Sequence, residues 1–102
     1  MPAQLLVIYP DPKDRKEFDR RYREEHLPYA SPRLAGASSV ATQKIVAAPG
    51  GPPAPYAISV VTFPSLAALQ SCAATAGARE ALAHAASIST GGPPQVLLVD
   101  VA

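Results

Sequence analysis

Two histidines, four tyrosines and one cysteine are the side chains of this 102-residue chain best suited to handling protons or metals. His26 is set apart by its spacing. Phe18, Tyr22 and His26 recur every four residues and therefore share one stripe of a helix. Leu27 and Pro28 follow at once. A residue before proline is biased out of the helical region, so the helix is expected to end or kink at Leu27. That leaves an imidazole at the tip of an aromatic stripe. Imidazole titrates near neutrality, so beside a cavity it moves a proton in either direction, as acid or base. The alternative is a structural ring that packs on Phe18 and Tyr22 and hydrogen-bonds the chain near Pro28.

Tyr9, Tyr22, Tyr29 and Tyr56, with Phe18, either line a pocket and bind a substrate or belong to the core. Asp100 interrupts a run of valines and leucines two residues from the last position, which fits a buried carboxylate or an exposed strand end. His84, beside Arg79 and Glu80, is expected to be solvated. Cys72 lies among alanines with no neighbouring histidine and reads as a buried structural thiol. Two histidines and one cysteine without paired ligand spacing give no metal site. Gly50-Gly51 and Gly91-Gly92 are turn glycines, and neither fits a phosphate loop or a dinucleotide fingerprint, so no cofactor is expected.

The elements that must position these residues follow from pattern. Leu5 to Tyr9 is an unbroken apolar run ended by Pro10, a buried strand. The first helix starts near Asp11 or Asp14, where Asp14 and Glu17 have capping-box spacing. Ser31 to Gly36 is a connection. A second strand covers about Ala37 to Ala47, its broken alternation between Thr42 and Ile45 suiting a bulge. The loop Pro49-Gly50-Gly51-Pro52-Pro53 leads to a third strand, Tyr56 to Phe63, antiparallel to the second. Ser65 caps a second helix with Leu66, Leu69, Ala73 and Ala76 inward and Gly77 as its stop. A short helix, Ala78 to Ala86, carries Leu82 inward, and Val96 to Val101 is the last strand. The order is strand, helix, strand, strand, helix, strand. It predicts an α+β ferredoxin-like βαββαβ protomer over residues 1–102, one domain, with a four-stranded antiparallel sheet and its helices on one face.

Helices on one face leave the other to be explained. A wet face shows alternating apolar and polar residues, yet the first and last strands are apolar on both sides. Four strands of about six residues at about 4.8 Å spacing give a face on the order of 400 Å², about the limit a monomer leaves bare. Covering it is worth roughly 10 kcal/mol before association costs. The expectation is a homodimer that joins its two sheet faces.

Composition limits the remaining classes. Hydrophobic residues make up 48% of the chain, but 20 of them are alanine, so the packing inventory is 21 Leu, Ile and Val plus six aromatics. Net charge is +1 with no basic cluster, so no nucleic-acid partner is expected. No apolar run reaches the length of a membrane span, and none is expected. The opening residues lack a basic segment followed by a long apolar one, and a lone cysteine fits a reducing compartment, so the cytoplasm is expected. Twelve of the 17 charged residues fall between Asp11 and Glu25, six of each sign, a solvated helix face with pairs such as Glu17/Arg21 and Asp19/Arg23.

Tyr9-Pro10, the acidic Asp14, Phe18, Tyr22, His26-Leu27-Pro28, Gly36 and, before the last strand, Thr90-Gly91-Gly92 together resemble the EthD family, named for ethyl tert-butyl ether degradation. The resemblance spans nearly the whole chain. It implies a ferredoxin-like protomer that forms a dimeric α+β barrel. Relatives in that superfamily include cofactor-free monooxygenases, polyketide cyclases and lactone isomerases. By that resemblance the chain is expected to act on a small, largely apolar organic molecule in catabolism or secondary metabolism. The chemistry implied is cofactor-independent, of the oxidoreductase/monooxygenase or isomerase/cyclase kind, with His26 as acid or base and the tyrosines orienting the ligand. The alternative is an accessory protein that holds or delivers a hydrophobic metabolite to an oxidative enzyme.

Overall fold

The computed structural model describes residues 1–51 and 54–101, so Pro52 and Pro53 of the expected proline-glycine loop lie outside the described residues. Strands β1 (Ala3–Tyr9), β2 (Ser39–Lys44), β3 (Ala57–Phe63) and β4 (Gln95–Asp100) form one antiparallel sheet in the order β2-β3-β1-β4. Helix α1 (Arg15–Arg21) runs through a π-helical turn (Tyr22–His26) into α2 (Leu27–Ala30). A 3₁₀ turn (Ser31–Arg33) follows, and α3 (Leu66–Ala73) and α4 (Ala76–Ile88) connect β3 to β4. This is the ferredoxin-like α+β arrangement that the element order predicts. None of these helices is long and apolar enough to cross a membrane.

Burial alternates strictly along the two central strands. Ala3, Leu5, Val7 and Tyr9 of β1, with Ala57, Ser59, Val61 and Phe63 of β3, lie under the helices. The register pairs Leu5 with Val61 and Val7 with Ser59, and directly paired residues share a face. The core is closed from above by Phe18, Tyr22, Leu69, Cys72, Ala85 and Ile88. Burial raises the Cys72 thiol's pKa, as fits a structural cysteine.

The opposite face carries Leu6, Ile8, Ile58 and Val60 at its centre, all half-buried, flanked by Leu97 of β4. Gln4, Thr62, Gln43 and Gln95 stand at its ends. The apolar second face expected from the sequence is therefore present, as an apolar centre with a polar rim. On the helix side, the edge strands are less covered than the central pair, with Val40 38% and Leu98 50% exposed.

Several local expectations need correction. The first helix does not end at Leu27, which itself has helical backbone angles. A proline at position 28 lacks an N–H and would press its ring on the carbonyl four residues back. The chain accommodates it by widening: Leu27 N–H bonds Tyr22 C=O, the five-residue step of a π turn. Strand β2 is shorter than expected and has no bulge, since its pairing runs unbroken from Ser39–Thr62 to Lys44–Ala57. Leu66, Ala73 and Ala76 are not the buried stripe of α3; Leu69 and Cys72 are. Gly77 is not the helix stop either. Thr75 caps a new helix by accepting from Ala78 N–H, and Gly77 lies in its first turn. A Cβ there would stand 2.8 Å from the Arg33 carbonyl oxygen, so glycine is what lets α4 approach the 3₁₀ turn. Asp14 does cap α1, accepting from Glu17 N–H at 3.0 Å, and Ser65 caps α3 in the same way.

Candidate functional site

Asp14 sets the start of α1, the heptad from Arg15 to Arg21 turns Phe18 inward, and the π turn carries Tyr22 and His26 on the same side. The stripe read from the sequence is intact. Phe18 stacks on Tyr22 with ring centres 5.9 Å apart, and Tyr22 meets His26 at 5.5 Å. Tyr22 and His26 are each 7% exposed.

These two rings form one wall of a cleft between the sheet and the helices. Leu27 and Leu34 border it on the π-turn side, Leu82 on α4, and Ser59 on β3. It encloses about 390 Å³ counting its mouth, of which about 30 Å³ admits the centre of a water molecule, room for about two waters. No Asp, Glu, Lys or Arg lines it among the described residues. Its polar side chains are Tyr22, whose hydroxyl lies 2.5 Å from both Thr42 Oγ1 and Ser59 Oγ, His26, Ser59 and Ser31.

His26 Nδ1 lies 2.9 Å from His84 Nδ1, with ring centres 5.2 Å apart and planes 9° from parallel. His84 is not solvated in the way its charged neighbours in sequence suggest. Instead it is half-buried against α2, where Tyr29 stacks on it at 4.6 Å. Arg33 covers Tyr29 in turn, its guanidinium 3.7 Å from the ring centre and donating to the Tyr29 carbonyl at 2.7 Å. The signal that locates His84 is positional: Ala78, Ala81, Ala85 and Ile88 form the buried stripe of α4, and residue 84 sits three after Ala81 and four before Ile88, on its flank. Burial, and then the neighbouring His84, lower the His26 pKa from 6.5 to about 4. At neutral pH His26 is an uncharged imidazole, a proton acceptor rather than a donor of positive charge.

The remaining predicted site residues lie elsewhere. Tyr9 is wholly buried beneath the stripe and does not border the cleft. Burial, with Tyr22 beside it, pushes its phenol pKa well above the usual value, against a weak opposing influence of Ser59. Among the described residues its hydroxyl reaches no partner at hydrogen-bonding geometry, and Ser59 Oγ is engaged by Tyr22. Phe18 packs edge-on between Tyr9 and Tyr56. Tyr56 belongs to a second hollow, lined by Asp11 and Arg15. Its hydroxyl donates to Asp19 at 3.0 Å and accepts from Lys44 Nζ at 2.9 Å. The expected Glu17/Arg21 and Asp19/Arg23 pairs are replaced by Glu17–Arg20, Arg21–Glu25 and Asp19–Lys44. Asp100 is exposed at the strand end. No group of three metal-ligating side chains occurs among the described residues.

Thr90-Gly91-Gly92 anchors the loop that leads into α1. Lys13 N–H donates to Thr90 Oγ1 at 3.0 Å, and a Cβ on Gly91 would overlap the Asp11 carbonyl. Two of the segments that carried the resemblance, Tyr9-Pro10 to Asp14 and Thr90 to Gly92, thus meet in space and fix where the helix of the site begins.

No protein of curated function matches this chain in sequence. Among solved structures, it is similar to an ethyl tert-butyl ether degradation (EthD) family protein from Bacillus halodurans C-125, at 20% identity and a TM-score of 0.84 over the whole of both chains. It is similar to a dimeric ferredoxin-like protein of unknown function from Jannaschia sp. CCS1, at 20% identity and a TM-score of 0.66, covering 99% of this chain and 100% of that one. A Bordetella bronchiseptica protein provisionally assigned as an antibiotic biosynthesis monooxygenase aligns at 19% identity and a TM-score of 0.63, over 99% of this chain and 97% of that one. These likenesses establish the fold. The family model for the EthD domain matches residues 10–87, the span that holds the aromatic stripe, both histidines and all of the cleft lining except Leu5 and Val7, and the chain belongs to the EthD family.

Proposed function

We propose that the cleft receives a small, largely apolar organic molecule and that His26 takes a proton from it, in cofactor-independent chemistry of the oxidoreductase/monooxygenase or isomerase/cyclase kind. The observation that carries this reading is the setting of His26. It stands in an apolar, uncharged wall with Nδ1 held by His84, while its Nε2 makes no hydrogen bond among the described residues. A neutral ring so held has one nitrogen free to accept a proton. Tyr22, with its hydroxyl fixed by Thr42 and Ser59, orients the ligand beside it. Tyr29 steadies the imidazole pair, and Tyr9, Phe18 and Tyr56 act from behind, by holding the stripe in place. The narrow interior implies that Leu27, Leu34 and Leu82 part as the ligand enters. A lone buried thiol fits a reducing compartment, so the cytoplasm is the proposed place of action.

The low basicity of His26 favours a second reading. A base whose pKa is about 4 lies well below the value best matched to proton transfer at neutral pH. The same cleft would then serve a non-catalytic accessory protein that delivers a hydrophobic metabolite to an oxidative enzyme. Native mass spectrometry of the purified protein, looking for a co-purified compound, tests both. The compound is then incubated with the wild type and with His26→Ala. Catalysis predicts that only the wild type consumes it, while both bind it. Binding without consumption by either selects the carrier. Equal consumption by both removes His26 from the chemistry, and no bound compound at all counts against both readings.

Leu6, Ile8, Ile58, Val60 and Leu97 form an apolar centre inside a polar rim, the composition of a protein interface, and the Jannaschia relative is described as dimeric. A second copy of this chain, packed sheet to sheet, covers that face and completes a dimeric α+β barrel. Light scattering on a size-exclusion column at micromolar protein is expected to give twice the 10.6 kDa chain mass. A clean 10.6 kDa species rejects the dimer.

A further inference from the structure

Two ring nitrogens 2.9 Å apart share one hydrogen bond, and one hydrogen bond holds one proton. The four nitrogens of His26 and His84 therefore carry two protons when uncharged: one between the rings and one on either outer Nε2. A third proton fits on the remaining Nε2. A fourth would set two N–H groups against each other and break the contact. The pair thus exchanges a single proton with its surroundings, as one unit.

Its two ends face different media. His26 is buried and lines the cleft, whereas His84 is only half-buried on α4. We infer that His84 is a relay and positioning residue for His26, passing protons between the cleft and bulk water through the shared Nδ1···Nδ1 bond. The inference rests on the proposed role of His26 as base.

The step balances without electron transfer. A substrate proton arrives at His26 Nε2, the proton on His26 Nδ1 crosses to His84 Nδ1, and His84 releases its Nε2 proton to water. Both rings end as the opposite tautomer, which is the form able to work in reverse. Water then protonates His84 Nε2, the shared proton crosses back, and His26 Nε2 returns a proton to the product. Base and acid roles alternate on one nitrogen, and between the two steps neither imidazole holds a positive charge; the negative charge stays on the deprotonated substrate until the proton returns. That suits a ring whose burial disfavours the imidazolium.

The neighbours of His84 leave this exchange to the pair. Tyr29 stacks on it from α2, with Arg33 beyond Tyr29, and His26 meets it from the π turn. On its own helix stand Arg79 and Glu80, and Ser87 donates to the His84 carbonyl rather than to the ring. Among the described residues neither imidazole bonds a carboxylate.

The test reads ring-nitrogen NMR on the ¹⁵N-labelled full chain from pH 8 downward, for the wild type and for His84→Phe, which keeps a flat ring against Tyr29 but holds no proton. A relay predicts one shared proton correlated with both Nδ1 atoms and uptake of one proton by the pair. It also predicts that exchange of the His26 ring proton with water slows by about tenfold or more in His84→Phe. His84→Gln, whose amide passes no proton, must give the same slowing and serves if the Phe variant does not fold. Equal exchange in wild type and variants overturns the relay, as do two independent titrations, one per ring. Uptake of micromolar Zn²⁺ by the wild type that is lost in His84→Phe also overturns it, because a metal would then occupy the place of the proton. The readout needs no substrate. Slowed exchange in a protein that consumes nothing keeps the proton path and removes the base role, and unchanged exchange in an active protein does the reverse.

Discussion

Around Phe18 the first helix meets charge. Tyr56 lies between Asp19 and Lys44, and the Arg15 guanidinium stands 5.5 Å from its ring centre, itself paired with Asp11. One to two turns further along the same stripe, the hydrogen-bond partners of the Tyr22 and His26 side chains among the described residues are two hydroxyls and another imidazole. Both ends are built on one aromatic face, so packing does not distinguish them. What does is whether the polar atoms are satisfied by ions or by neutral groups. At the Tyr56 end each donor faces a fixed opposite charge and no proton is free to move. At the His26 end every polar partner is both donor and acceptor, so protons can redistribute without leaving a charge behind.

Removing the residue that both ends share is the largest test. Phe18 touches Tyr9, Tyr22 and Tyr56, and Phe18→Ala should cost about 3–5 kcal/mol, the range for a buried aromatic replaced by Ala. Urea unfolding measures it. A loss below about 1 kcal/mol would show that the two ends do not depend on a common packing unit.

Acid separates the ends next. The His26 pKa falls from 6.5 unfolded to about 4 folded, so the folded state binds fewer protons between those values. Its contribution to stability is complete above about pH 6.5 and is lost as pH falls toward 4. After allowance for solvent that still reaches the pair, the loss is about 2 kcal/mol. Wild type and His26→Phe, unfolded in urea at several pH values, should differ in slope across that window. Parallel curves would mean that His26 carries charge as easily when folded as when unfolded. Carboxylates at the charged end, such as Asp11 and Glu17, have lowered pKa values because each accepts from an arginine, so their protonation falls at lower pH.

A smaller effect tests the neutral hydroxyls. Tyr22→Phe strips the shared partner from Ser59, which is 4% exposed, and an unsatisfied buried hydroxyl costs about 1 kcal/mol or more. A change near zero in urea unfolding would indicate that Ser59 re-pairs, with the Tyr9 hydroxyl the available partner.

The stripe, the order of elements along the chain, the Asp14 and Ser65 caps and the apolar second face were legible because each rests on local spacing or on strand alternation. His84 was not. Its spacing to Ala81 and Ile88 places it on the flank of the buried stripe, but it gains a partner only once α4 folds back on the π turn, and that approach depends on Gly77 lying over Arg33. The glycine read as a stop is in fact a contact, and no local rule separates those two uses. The course of the helix through Pro28 was hidden for a similar reason. The bias of a pre-proline residue is a local preference, and here a π turn and the packing of Tyr22, His26 and Ala30 override it. Tyr56 and Asp19 have no sequence pattern between them; their contact exists only once β3 pairs with β1.

The smallest effect bears on the charged end itself. Lys44 and Asp19 are close in space, but their side chains are 46% and 37% exposed. Burial works against the Lys44 charge, yet Asp19 and Tyr56 together outweigh it and its pKa is raised. Pairs with this much water around them are worth about 0.2–1 kcal/mol. Lys44→Met keeps the apolar stem over Tyr56 and should destabilise by about 0.5 kcal/mol at low salt and less at high salt. A double-mutant cycle with Asp19→Asn isolates the pair, since Tyr56 still has an amide oxygen to donate to. Coupling of a few tenths of a kcal/mol would fit an end that only holds the helix to β2 and β3. Coupling above about 2 kcal/mol would exceed what an exposed pair supplies and would require that a second copy or a ligand excludes water there. In that case the two ends of the stripe would share one kind of environment, and the contrast drawn between them would fail.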